Sequence, residues 1–374
     1  MNKNYEKIMM DLLYGRMHYS DLSIEQKDDK ELMLLLIKNL TVIQYQYLYS
    51  AMSERLVYDK DIITLMLERH GLMYRKIPSI YQEDKNLALI AITQQGGVYQ
   101  FITETLRFDD DVITKAVTNN AQMIKYVPKD KKENKDFLLK LLECNARTYK
   151  SFAGFYQNDQ EMSLRAIELD GENLQYVCKK LQNDIEVVKL AMKTSVLAFR
   201  HSSINVLNNK DMVLFAVDKN GIMLEYASEE LRNDEQVVKA ALANDAKSIV
   251  FANDRLKNDK EMMLFAVNKN GMMLQHASEE LRNDEQVVRT ALENESQSMR
   301  HANNRFRNDI EFVYEYSQNN QYAYLYAGED LKLEFGNMDG KVYLDRWKRK
   351  TDLEDKINRE IPLKQTTNKS KRKL

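Results

Sequence analysis

A chain of 374 residues is too long for one ordinary compact core, which leaves two domains or one elongated array. Its longest uncharged apolar run is Leu32 to Ile37, and Glu6 and Asp11 interrupt the apolar residues at the start, so the sequence predicts neither a membrane span nor a secretory leader. The net charge of -2 conceals an asymmetry: from Arg346 to Leu374 there are 11 Lys/Arg against 4 Asp/Glu, giving +7 there and -9 over residues 1–345.

In chain order, residues 1–28 are expected to form an N-terminal helical cap, and residues 29–58 an irregular first repeat, opened by Asp29 and carrying five extra residues. From there an acidic residue or Asn recurs every 25 positions, at Asp59, Asp84, Asp109, Asn134, Asp159, Asp184, Asn209, Asp234, Asp259, Asp284, Asp309 and Glu334. Residues 59–334 are thus a regular array, and counting each unit from this residue gives columns. Place eight is Ala91, Ala116, Ala166, Ala191, Ala216, Ala241, Ala266 and Ala291, with Leu141 and Tyr316 as departures. Each unit is predicted as two unequal helices. In the unit from Asp259, the Asp caps a helix of about eleven residues, Asn270-Gly271 is expected to end it in the left-handed conformation, and a shorter helical segment runs through Met272 to Ala277. Pro78 and Pro128 fall at place twenty, where a helix must have ended or a new turn must start. Residues 335–350, with Trp347, are expected to cap the array, and residues 351–374 to be a basic, disordered tail.

A helical unit of 25 residues cannot bury its own apolar face. Stacking about eleven of them predicts an all-α superhelical array, an α-solenoid, with the alanine column at the close approaches. The leucine-rich repeat text L-x-x-L-x-L-x-x-N, which would imply strands, does not occur. The phrase Leu-x-Tyr-Ala-Ser-Glu-Glu-Leu-Arg-Asn-Asp-x-x-Val-Val at Leu224 to Val238, and its copy at Leu274 to Val288 with His276 for Tyr, resembles the repeat of the domain of unknown function 4116 family, found mainly in bacterial and algal proteins. The resemblance is specific over residues 159–308, weaker but in frame over 59–158, and implies a repeat without implying a mechanism.

The candidate chemistry is sparse. Place eighteen holds a ring in most units, including Tyr176, His201, Tyr226, Phe251, His276, His301 and Tyr326, and such a column is either packing between short helices or a stripe that binds a protein partner. On the short helix it lies about 200° from place sixteen, so it points off the core seam. The Asn-Asp pairs read as caps rather than calcium ligands, because a calcium loop needs several oxygens around a glycine. Cys144 and Cys178, 34 residues apart, make no disulfide framework or thiolate zinc site and fit a reducing cytosol. Phosphate-loop, dinucleotide, zinc-protease and serine-hydrolase signatures are missing, so no enzyme, no cofactor and no metal is expected.

Place seventeen mixes Gln, Lys, Arg, Glu and Val and builds no phosphate track, leaving Lys369, Lys371, Arg372 and Lys373 in the tail as candidate polyanion contacts. The reading is a non-catalytic scaffold with a protein partner. Its alternatives are a nucleic-acid or anionic-surface binder acting through the tail, and an enzyme within residues 1–58. The expected setting is cytoplasmic and bacterial, with a host-directed effector or a defence component both compatible.

Overall fold

The computed structural model describes residues 3–319 and 323–360, so the four basic tail residues just named lie outside the described part. Among the described residues every regular element is helical and no strand occurs. The chain divides into two compact units, Met1–His201 and Ser202–Leu374.

Each repeat has three helical pieces where two were expected. In the repeat from Asp259 these are the α-helix Lys260–Lys269, the 3-10 helix Gly271–His276 and the short α-helix Glu279–Arg282. The third piece explains place twenty, which is its N-cap: Ser278 accepts the backbone N–H of Leu281 at 3.2 Å. Pro78 and Pro128 occupy the same cap position, where the fixed φ of proline is compatible.

The long helix begins as the sequence predicts. Asp259 accepts Met262 N–H at 2.9 Å, and Asp29 caps its own ten-residue helix, Lys30–Asn39, through Leu32 N–H at 3.0 Å. The alanine column is fully buried: Ala91, Ala116, Ala166, Ala191, Ala216, Ala241, Ala266 and Ala291 are all 0% exposed.

The left-handed C-cap is a correction. Among the described residues positive φ occurs only at Gly15 and Gly336, whereas Asn270 is extended (φ -152°) and accepts Met272 N–H with its side chain. Gly271 is required for a different reason: a Cβ there would sit 2.2 Å from the carbonyl oxygen of Ala291 in the next repeat. Gly71, Gly171 and Gly221 meet the carbonyls of Ala91, Ala191 and Ala241 in the same way, at 2.2, 2.0 and 2.4 Å.

In the second unit this contact alternates. Gly221 and Gly271 fall in every other repeat, and Ala246 and Ser296 take the same place in the repeats that follow them. Accordingly helix Lys210–Lys219 packs closely on Glu235–Asn244, and Lys260–Lys269 on Glu285–Asn294, while Glu235–Asn244 and Lys260–Lys269 touch much less. A clamp completes each close pair. Asn244 Oδ1 accepts Gly221 N–H at 2.9 Å while its Nδ2 donates to Asp218 O at 2.8 Å, and Asn294 repeats both bonds with Gly271 and Asn268 at 3.0 and 2.8 Å.

The last repeat is covered by the 21-residue helix Gly340–Glu360, which runs past the tail boundary expected at residue 350. Leu344 enters a core with Val313, Ala327, Leu331 and Phe335, and Trp347 meets Tyr314 edge to face at 5.9 Å.

Candidate interaction surface

The ring column is carried by the 3-10 helices; in the first unit Val196–His201 lies against Gly171–Tyr176, and in the second Gly221–Tyr226, Ala246–Phe251, Gly271–His276, Ser296–His301 and Ala323–Tyr326 lie each against the next. Tyr176 and His201 in the first unit, and Tyr226, Phe251, His276, His301 and Tyr326 in the second, are all half-buried. The sequence missed what covers them. In four places the place-seventeen side chain of one repeat lies on the ring of the next. Arg75 is 4.4 Å from the Phe101 ring centre, Lys150 is 6.0 Å from Tyr176, Arg300 is 5.3 Å from Tyr326, and Gln100 accepts the Tyr126 hydroxyl at 3.0 Å. The mixed polar chemistry of place seventeen, unsuited to phosphate, suits the edges and faces of rings.

Burial pushes the imidazoles of His276 and His301 below their ordinary value. Lys257 adds to the effect at His276, and Arg300, His276, Arg282 and Arg307 add to it at His301. The Nε2 atom of His301 is buried without a hydrogen-bond partner. The neutral ring is favoured at both positions, and both act as flat half-buried surfaces.

One cluster combines a hydroxyl, an imidazole and a carboxylate. Ser195 Oγ donates to Glu172 Oε1 at 2.7 Å, Arg200 Nη2 donates to Oε2 at 2.7 Å, and His201 Nε2 lies 3.3 Å from the same Oε2. Burial is the largest influence on Glu172 and pushes it up, but the bonds from Ser195, His201 and Arg200 outweigh it and hold the carboxyl below its usual range. Activating a serine requires the imidazole between hydroxyl and carboxylate; here the carboxylate is in the middle, and the cluster ties adjacent repeats together instead. Among the described residues no group of three or more His, Cys, Asp or Glu is placed to hold a metal ion, and no helix is long and apolar enough to cross a membrane.

A second pattern joins successive repeats at the opposite end of the long helix. Lys60 donates to Asp84 at 2.7 Å, Lys210 to Asp234 at 2.7 Å and Lys260 to Asp284 at 2.8 Å, and Lys85 and Lys135 reach Asp109 and Asp159 at 2.9 and 2.8 Å. The capping carboxylate is therefore shared: one oxygen caps its own helix while the other takes a lysine from the repeat before. The lysine bond is the main reason that Asp84 and Asp159 lie below the usual carboxylate range. At Asp59, Asp109, Asp234 and Asp284 partial burial is the largest influence and opposes this, but the lysine and the helix N–H groups together prevail. A signal was present in the sequence: Asn134 and Asn209 stand at the cap only where Asp110 and Ile185, not Lys, occupy place two of the preceding unit.

The profile of a family described as a domain of unknown function (DUF4116) matches the chain at residues 59–107, 84–130, 159–206, 209–257, 259–307 and 284–332. Each match spans two of the 25-residue units, the size of the close pair seen around Gly221 and Gly271. No curated protein and no solved structure matches.

Proposed function

The chain belongs to the DUF4116 family, and from that membership and the geometry above we propose that it is a non-catalytic scaffold whose repeats stack into a superhelical array and bind a protein partner along the ring column. The observation that carries this reading is the half-buried rings on mutually contacting 3-10 helices within each unit, Tyr176 and His201 in the first and Tyr226 to Tyr326 in the second. Half-buried rings held in place by their neighbours lose little side-chain freedom on binding, and aromatic residues dominate interface energetics. The carboxylate-centred order of Ser195, Glu172 and His201 does not suit activation of that serine.

The +7 of residues 346–374 favours a second reading, in which the tail grips a polyanion. Tagged full-length chain recovered from its native cells separates the two. The scaffold reading expects a protein partner that stays bound after nuclease treatment. Changing Tyr226, Phe251 and His276 together to alanine should weaken that binding about tenfold, with circular dichroism still helical, while removal of residues 361–374 should not. Recovery that nuclease abolishes, or a folded triple variant that binds as tightly as the parent, contradicts it.

A further inference from the structure

The repeat from Asn134 departs from the others at place twenty as well as at place eight, and around the place-twenty departure lies a distinct surface. Place twenty, the cap of the short helix, is Pro, Thr, Cys, Ser or Asn in the other regular repeats up to Asn303, but Ala153 here. Here the break does not form, and the chain continues as one α-helix, Tyr149–Tyr156. That helix buries Tyr149 and Phe152 and turns Phe155 outward, 89% exposed, the most exposed of the exposed large hydrophobic side chains among the described residues. Phe152 meets Tyr149 and Tyr156 edge to face at 5.6 and 6.1 Å. Between this helix and Lys129–Glu133 lies a groove of about 350 Å³ lined by Phe152, Phe155 and Tyr156 on one side and Lys129, Lys132 and Glu133 on the other.

The charge around it is opposite to that of the rest of the array. Residues 121–158 hold eight Lys/Arg (Lys125, Lys129, Lys131, Lys132, Lys135, Lys140, Arg147, Lys150) against four Asp/Glu (Asp130, Glu133, Asp136, Glu143), a net +4 within residues 1–345 that sum to -9. Lys131 and Lys135 are engaged with acidic side chains of neighbouring repeats, Asp110 for the first and Asp159 and Glu161 for the second. Lys129 is 83% exposed, 3.4 Å from Glu133 in a solvent-screened pair, and Lys132 reaches only the Lys125 carbonyl, at 3.4 Å.

We propose that this groove docks a short acidic peptide segment of a partner protein, one apolar or aromatic side chain entering between Phe152, Phe155 and Tyr156 while flanking carboxylates face Lys129 and Lys132. Exposed Phe155 and half-buried Tyr156, resting on buried Phe152, offer apolar contact that a phosphate backbone does not use. Two ammonium groups interrupted by Glu133 make a short, mixed-charge site that matches one or two carboxylates rather than a continuous phosphodiester track. The proposal rests on the scaffold reading but places a second, chemically distinct contact in a different part of the chain from Tyr226, Phe251 and His276.

The test uses the full-length chain, panned against a phage-displayed library of random peptides of about twelve residues. The enriched peptides are then synthesised with a fluorescein label and titrated by anisotropy into the parent protein, Phe155→Ser, and the double variant Lys129→Glu/Lys132→Glu. The proposal expects an enriched motif with a Leu, Phe or Trp among Asp and Glu residues, and an affinity about tenfold lower for each variant. Because Phe155 and Lys129 are exposed and Lys132 is only partly buried, unchanged helical dichroism and melting temperature are expected. No enrichment over the starting library, a basic or purely apolar motif, or peptides that bind Phe155→Ser as tightly as the parent would overturn it. So would double-stranded DNA that displaces the peptide and binds Phe155→Ser undiminished. Neither the native partner nor the ring column enters this measurement, so its failure is distinguishable from failure of the scaffold reading.

Discussion

At the scale of single residues, two aspartates with the same role in the sequence differ in the structure. Asp259 caps Met262 and follows Glu235, whereas Asp84 caps Asn86 and Leu87 and also receives Lys60. Asp259→Asn is expected to leave the urea midpoint unchanged at pH 7, because Asn is as good a cap. Asp84→Asn keeps the cap and loses the lysine, so its midpoint should fall. The pH dependence follows from the depressed carboxyl of Asp84. Its stabilisation is complete above the unfolded value near about 3.9 and is lost as pH falls through the folded value, so the gap between Asp84→Asn and the parent should close in acid. The glycines provide a second test. Gly271→Ala drives a Cβ into the Ala291 carbonyl and should cost about 1–3 kcal/mol in chemical denaturation. Gly97→Ala meets nothing within 4 Å and should be neutral or stabilising by up to about 1 kcal/mol. The caps and the alanine column were legible in the sequence because each is a local requirement repeated at a fixed spacing. The lysine partner and the glycine contact were not, because they are requirements between units, and Asn270-Gly271 reads locally as a helix stop.

At the scale of elements, the repeat with Ala153 at place twenty continues as one α-helix where the repeat with Ser278 there breaks into a 3-10 helix and a short α-helix. Ser278 has φ -60° and follows Ala277 at ψ 152°, a geometry that proline and its preceding residue both accept. Ser278→Pro should therefore stay within about 1 kcal/mol of the parent, the lost side-chain cap being offset by the rigid backbone. Ala153 lies inside Tyr149–Tyr156, and Ala153→Pro should cost about 3 kcal/mol. Thermal or urea melts of the two variants compare them directly; equal losses would mean that the helix around Ala153 is not continuous. Two helices per unit were expected because Leu281 and its equivalents read as an isolated core residue, and a four-residue helix leaves no apolar periodicity to detect. The ring column was legible as a spacing, but its cover of place-seventeen side chains was hidden, since Arg, Lys and Gln have no common charge and only the ability to reach a neighbouring ring in common.

At the scale of the whole molecule, the period of 25 was legible end to end, while the pairing of repeats was visible only as the higher identity between residues 209–258 and 259–308. Close pairs that interact with their neighbours through repeated, local contacts are the arrangement expected of a one-dimensional array, in which each repeat is stabilised by the next. The scaffold reading depends on that array being extended. Small-angle X-ray scattering of residues 1–360 tests this most directly. A compact chain of this length would have a radius of gyration of about 21 Å. About eleven layers at 8–10 Å each predict a maximum dimension near 100 Å and a radius of gyration above about 26 Å. A value near 21 Å would contradict the stacked array and, with it, the account of how this protein binds.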